Sequence, residues 1–316
     1  MKSNFALMIL LITVLALPGC RSIRRIGESR QSIAARRLSG QGFKAMHNNQ
    51  WDVAETLFSD ALDVSRADDR AHWGLAESLW QRGEYDLAIE HMEQAVRLSA
   101  SDPKRVQRLG RMYLEVGRDQ EAQEQSLVAL ATARNSADVW ALRGDCLLAA
   151  GQLPDALAAY HRALALQPDF PEVQLQTAEI YHQSQRYGRL LATLDRLQDG
   201  VGSDATPARA DVLQGIAMRR LGRIDEAQKC FARATEKDPS DATPHLELAT
   251  LSLDQGNVES AKQSLAMALK LNPNSLSPHT LNPNASADPH WDNEIKKQQA
   301  RLANEEHGVN NSARLR

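Results

Sequence analysis

Residues Ala137–Asp169 read ADVWALRGDCLLAAGQLPDALAAYHRALALQPD, and the fold follows from this stretch. Trp140, Gly144 and Leu147 fall on one face of a first helix, because residues three and four apart are neighbours on a helix. Gly144 carries no side chain, so a partner backbone can come close at that level. Ala156 and Ala163 do the same on a second helix, and Tyr160 fills the space between them. Gly151 stands at the turn, where a positive φ suits glycine best. Pro168 closes the unit because proline cannot continue a helix. The stretch reads as two amphipathic helices folded back to back.

Shifting the frame recovers the same pattern along most of the chain. The small first-helix residue recurs as Gly42, Ala76, Gly110, Gly144 and Ala178, then as Gly215 and Ala249. The first close-packing alanine recurs as Ala54, Ala88, Ala122, Ala156, Ala227 and Ala261. The second recurs as Ala61, Ala95, Ala129, Ala163, Ala234 and Ala268. The turn position reads Asn49, Gly83, Gly117, Gly151, Gly222 and Gly256, and asparagine is next best to glycine in a left-handed conformation.

This pattern resembles the tetratricopeptide repeat (TPR) family, whose period is 34 residues. The resemblance covers residues 35–273. It implies an all-α fold, a right-handed TPR superhelical solenoid of about seven helix-turn-helix repeats. Each repeat buries its face on its neighbours, so the core is one long strip.

One repeat departs from the rule. In residues 171–204 both alanine positions are leucine, Leu190 and Leu197, and the turn position is Gln185. Two leucines for two alanines are expected to push the helices apart. The next repeat starts three residues late, after the stretch 199–207. One reading is a tolerated loop insertion, since long surface loops cost little. The other is a bend dividing repeats one to five with their trailing loop (35–204) from repeats six and seven (205–273). After the array, residues 274–289 have the Asn, Ser and Pro content of a linker. The charged segment 290–306 has helical spacing at Trp291, Ile295 and Leu302 and suits a polar capping helix. Residues 307–316 read as a disordered tail.

Composition narrows the function. With 5% aromatic residues, the alanine and leucine richness suits close helix packing and argues against a β protein. A net charge of −3 excludes a general nucleic-acid footprint. Three cysteines are too few for a disulfide framework, and Cys146 and Cys230 read as buried apolar side chains. There is no phosphate-cradling glycine loop, no nucleophile elbow and no pair of metal-spaced histidines. His182 reads as a solvent residue. No catalytic residue, metal or cofactor is expected, and the chain is read as a non-enzyme.

Residues 1–20 combine Lys2, the apolar run Phe5–Leu17 and the sequence Leu17-Pro18-Gly19-Cys20. They resemble a bacterial lipoprotein signal peptide ending in a lipobox. The resemblance implies lipid on Cys20, removal of the signal, and a lipid-anchored protein on the periplasmic side of a bacterial cell envelope. Arg21, Arg24 and Arg25 follow the apolar run, where the positive-inside rule prefers the cytoplasm. The alternative is therefore a cytoplasmic protein or an uncleaved membrane anchor. Residues 21–34 form a basic tether within the stretch 21–37, which holds six arginines against Glu28. It either lies on anionic headgroups or is a solvated spacer.

In TPR proteins the open face of the first helices lines a concave groove for an extended peptide or a partner's helix. Carried onto this chain, the resemblance assigns the partner-binding groove to Phe43, Met46, Arg70, Trp73, Trp80, Lys104, Gln107 and Arg111. His47, Glu77 and Leu114 neighbour them, and Asp145, Glu179, Arg209, Arg219 and Arg220 continue the face. Trp73, Trp80, Phe43 and Met46 read as an apolar patch flanked by Arg70, Lys104 and Arg111, and tryptophan and arginine are typical interface anchors. The opposing reading packs Trp73 and Trp80 against residues 21–34 or the adjacent repeat. Some TPR adaptors clamp the C-terminal carboxylate of heat-shock chaperones. Here Lys104 and Arg108 are available, but Ser39, Phe43 and Gly74 cannot complete that clamp. The expected function is a membrane-tethered protein–protein interaction scaffold or adaptor in envelope complex assembly. The alternative is a periplasmic receptor module for a small ligand or glycan.

Overall fold

The structure, a computed structural model, describes residues 30–272 and 296–302. The chain runs through α1 (Arg30–His47), α2 (Trp51–Val64), α3 (Asp69–Gln81), α4 (Tyr85–Leu98), α5 (Pro103–Glu115), α6 (Asp119–Thr132) and α7 (Ala137–Ala149). It continues through α8 (Leu153–Leu166), α9 (Pro171–Gln183), α10 (Tyr187–Val201), α11 (Ala208–Arg220), α12 (Ile224–Lys237), α13 (Thr243–Asp254) and α14 (Val258–Leu271). Residues 296–302 add a short helical segment, and no strand occurs among the described residues.

Local signals start and stop these helices. Asp68 caps α3 by accepting from the backbone N–H of Arg70 and Ala71, and Asp102 caps α5 through Lys104 and Arg105. Each aspartate satisfies two amides that the first helical turn leaves unpaired. Pro103 and Pro171 begin helices where their missing N–H costs nothing. The turns take a positive φ at Gly83, Gly117, Gly151, Gly222 and Gly256, and Asn49 adopts the same conformation. Gln185 does so too, without glycine's freedom, so the departing repeat keeps the turn geometry of the others.

The chain forms two compact units, one holding α1–α7 and the other α8–α14. In the first, α1 pairs with α2, α3 with α4 and α5 with α6, and each second helix also packs on the next first helix. In the second, α9 pairs with α10, α11 with α12 and α13 with α14. The division falls between α7 and α8, inside the stretch quoted first.

The twelve alanines at the two repeat positions are all 0% exposed. Their methyl groups are wholly enclosed at those helix contacts. Where a large residue does enter, a neighbour gives way. Phe58 on α2 is fully buried and lies between Gly42 on α1 and Gly74 on α3. A Cβ added at either glycine would stand 2.6 Å or 2.1 Å from the Phe58 ring. Two repeats on, Ser126 stands in place of Phe58 and Leu142 in place of Gly74, and Leu142 now fills the space against Gly110. The core thus trades volume between neighbouring helices, as close packing requires. Leu190 and Leu197 are fully buried and share a cluster with Ala178, Ala210 and Ala217, whose small side chains make room for them.

The late start of the sixth repeat has a simple shape. Helix α10 extends through Val201, Gly202 takes φ 83°, and a short loop leads to Pro207. Lys237 on α12 donates to the carbonyls of Ser203 at 2.7 Å and Thr206 at 2.9 Å. Its ammonium also lies 2.7 Å from Asp211 Oδ2. The loop is pinned to the following hairpin.

Cys20, residues 21–29 of the tether, the linker at 274–289 and the tail at 307–316 lie outside the described residues. Residues 30–34, assigned to the tether on sequence grounds, are already part of α1. Within the 290–306 segment, Leu302 is buried with Leu246, Ala249, Leu253 and Leu265, and Arg301 pairs with Asp254 at 3.0 Å. No described helix is long and apolar enough to cross a membrane.

Candidate functional site

The residues that the sequence nominates lie on the first helices α1, α3 and α5, and Phe43, Arg70 and Trp73 meet there. The Phe43 ring meets Phe58 edge-on at 5.1 Å and Trp73 at 5.3 Å, so the buried Phe58 anchors the exposed end of the cluster. Trp80 lies 4.7 Å from Tyr85 on α4. Both tryptophans pack against the buried cluster that includes Ile89, Met92 and Leu109. Trp73 and Trp80 are half-buried, as are Phe43, Met46, Gln107 and Arg111, whereas Arg70 and Lys104 are exposed.

The structure adds two residues to this face. The Arg105 guanidinium stands 5.2 Å from the Trp73 ring and that of Arg108 stands 5.3 Å from Trp80. The cations covering the tryptophans are therefore Arg105 and Arg108 rather than Lys104 and Arg111. Each is held by an acid on α3. Arg105 reaches Asp69 at 2.6 Å, and Arg108 grips Glu77 through Nε and Nη2, both at 2.9 Å. Glu77 also accepts from Trp73 Nε1 at 3.2 Å. Acid, guanidinium and indole thus hold one another, and a bidentate charge-assisted pair fixes the plane of the guanidinium over the ring. Arg70 lies 5.5 Å from the Phe43 ring.

Three cations of the face have no carboxylate partner among the described residues: Arg70, Lys104 and Arg111. Arg111 Nε is buried with no hydrogen-bond partner among the described residues, a defect costing about 1–3 kcal/mol. Further along, the acid–arginine device recurs. Arg209 pairs with Glu179 at 2.6 Å and Arg219 with Glu247 at 2.9 Å, so these groove candidates are spent on joining successive first helices. His182, read as a solvent residue, is half-buried.

A second feature lies among α2, α3 and α4. A cleft of about 430 Å³ is lined by Leu62, Asp63, Arg66, His72, Glu90, His91 and Gln94. His72 Nε2 lies 3.1 Å from the Arg66 carbonyl, and His72 Nδ1 lies 2.9 Å from His91 Nδ1. A carbonyl only accepts, so His72 carries its proton on Nε2 and its Nδ1 accepts from His91. Burial lowers the pKa of both rings below 6.5, and burial does the same to His161 and His245. As pH falls through 6.5 the unfolded chain takes up protons that the folded rings refuse. Stability is therefore full above 6.5 and declines below it until the folded rings themselves protonate. Melting followed by circular dichroism is expected at a lower temperature at pH 5.5 than at pH 7.5. The difference should shrink in His91→Gln, and melts independent of pH contradict the assignment.

Among the described residues no group of three or more His, Cys, Asp or Glu could hold a metal ion. Cys146 and Cys230 are free and buried. Burial pushes the Cys146 thiol up to about 11 and raises Cys230 as well, the reverse of an activated nucleophile.

Comparison with known proteins bears on the repeat directly. Family models described as tetratricopeptide repeat match residues 44–103, 79–146 and 218–281, and one described as TPR repeat matches 144–185. Cellulose synthase operon protein C of Pseudomonas fluorescens is 26% identical over 254 residues, which is 74% of this chain and 20% of that protein. Lipopolysaccharide assembly protein B of Escherichia coli K12 is 26% identical over 255 residues, 77% of this chain and 64% of that protein. The chain thus spans from a fifth to just under two thirds of these relatives. Among solved structures, pilF of Pseudomonas aeruginosa superposes with a TM-score of 0.61 at 19% identity, covering 68% of this chain and 97% of that one. PilW, described as a type IV pilus biogenesis factor, gives 0.59 at 21% identity, covering 65% and 94%. At these identities the likeness is one of fold.

Proposed function

The chain belongs to the tetratricopeptide-repeat family, and from that premise we propose that it is a protein-interaction scaffold of the bacterial envelope rather than an enzyme. Its working surface is the face of α1, α3 and α5, which receives a segment of a partner protein. The observation that carries this reading is the fixed aromatic row: Phe43, Trp73 and Trp80, held by Arg70, Arg105 and Arg108. Large side chains already locked in place lose little freedom when a partner arrives, and that favours binding. An envelope setting is supported by relatives named for lipopolysaccharide assembly and for Vi polysaccharide export. The lipobox-like sequence ending in Cys20 supplies a lipid tether on the periplasmic side. A glycan receptor fits less well, because stacking on a sugar ring needs a bare aromatic face and both tryptophans carry a guanidinium.

Site-specific photocrosslinking in the full chain tests the surface. A photoreactive residue replacing exposed Lys104 on α5 is expected to trap a partner that one replacing exposed Leu127 on α6 misses. Capture from Leu127 alone overturns the assignment. For the tether, Cys20→Ser is expected to abolish incorporation of labelled palmitate and release the protein from membranes. A parent chain that is unlabelled and already released contradicts it.

A further inference from the structure

We infer that the segment received on this face is acidic: an extended stretch of a partner protein whose carboxylates meet Arg70, Lys104 and Arg111. The inference rests on the scaffold reading above and adds the chemistry of the partner. The chain as a whole carries a net charge of −3, so a basic surface on it is a local property. On α3 and α5 the acids are already used. Asp69 is taken by Arg105, and Glu77 and Glu115 by Arg108. What remains is Arg70, Lys104 and Arg111, which have no carboxylate among the described residues.

The three remaining cations differ in a useful way. Lys104 and Arg111 are seven residues apart on α5, hence two turns along one face. Arg70 sits on the neighbouring first helix, beside the Phe43 ring. A chain crossing these helices meets one cation on α3 and two on α5, with the aromatic rings carried by α1 and α3. Arg111 is half-buried, so part of its guanidinium stays open to a ligand on this face. The chain's own basic stretch at 21–37, with six arginines against Glu28, has the wrong sign to occupy the face.

Fluorescence anisotropy with defined probes tests the charge. The probes are a fluorescein-labelled peptide of four Glu-Leu-Gly repeats, its Lys-Leu-Gly counterpart, and a labelled polyuronate as the carbohydrate source of carboxylates. The full chain is expected to bind the glutamate peptide at least tenfold more tightly than the lysine peptide. Binding should weaken as salt rises from 50 to 500 mM, because the screening length of exposed charges falls from about 14 Å to about 4 Å over that range. The Arg70→Glu/Lys104→Glu double variant should lose at least tenfold. Both changes fall in the first turn of a helix, where negative charge is favoured, and an unchanged melting temperature verifies folding. Arg111→Gln gives a second variant that keeps the long side chain. No binding of the glutamate peptide overturns the inference. So does equal binding of both peptides, equal binding by both variants, or binding of the polyuronate alone. A partner trapped at Lys104 whose binding ignores salt and both variants overturns the acidic chemistry while leaving the scaffold reading intact.

Discussion

Replacing Asp211 with alanine is expected to destabilise the second unit by about 3 kcal/mol, within the range for breaking a buried ion pair from one side. Asp211 is 3% exposed on α11. Its Oδ1 accepts from Arg233 Nε at 3.1 Å and Nη2 at 2.9 Å, and its Oδ2 lies 2.7 Å from Lys237. Removing the carboxylate strands Lys237, whose side chain is 21% exposed, and loosens the pin on Ser203 and Thr206. Arg233 can turn to water, which keeps the loss near the lower end of that range. Repeat arrays need not unfold in one step, so the loss belongs to α11, α12 and the loop before them. Hydrogen exchange is the appropriate readout, with faster exchange in those segments and little change in α1–α7. Asp204→Ala, at an exposed loop position, serves as the control. Equal exchange in Asp211→Ala and the parent would contradict the role of this carboxylate.

A second large effect is expected at Phe58. Phe58→Ala should cost about 3–5 kcal/mol, because the ring is wholly buried and leaves a cavity that two helix backbones border. Gly74→Ala should also destabilise, since its Cβ falls 2.1 Å from the ring, and Gly42 on the other side blocks the ring's retreat. In the Phe58→Ala background the same glycine change should cost far less, because the obstacle is gone. A double-mutant cycle in urea should therefore give a coupling of about 1–3 kcal/mol. Additive losses would mean that the ring and the glycines do not constrain each other.

The repeat was legible because its information is local and periodic. Ala54 and its eleven counterparts announce a close helix contact, and all twelve are fully buried. Gly42, Gly110 and Gly215 likewise stand where an added Cβ would meet a neighbour's side chain at 2.5–2.8 Å. Gly74 was not legible. Its need for a missing side chain comes from Phe58, sixteen residues earlier, and appears only once three helices are packed. The exchange between Phe58/Gly74 and Ser126/Leu142 is equally invisible to a search for identical residues, because it conserves volume rather than type.

The face of the first helices was legible in outline. Phe43 and Trp73 do meet, but Arg105 and Arg108 depend on acids from the preceding repeat. Those pairs are 36 and 31 residues apart, and the later ones, Arg209–Glu179 and Arg219–Glu247, are 30 and 28 apart. The spacing wanders around the repeat length because side-chain reach, not the repeat itself, sets it. An acid and an arginine about 30 residues apart, in either order, were the available signal. The His72–His91 pair left none, since it joins α3 to α4 at a level that no repeat motif marks.

The central claim is that α1, α3 and α5 form the receiving surface. Its most direct test is a hydrogen-exchange footprint of the full chain with the partner trapped at Lys104. Slower exchange confined to α1, α3 and α5, with α2, α4 and α6 unchanged, is the predicted result. Protection on α2, α4 and α6 instead would put the partner on the opposite helices and contradict the account.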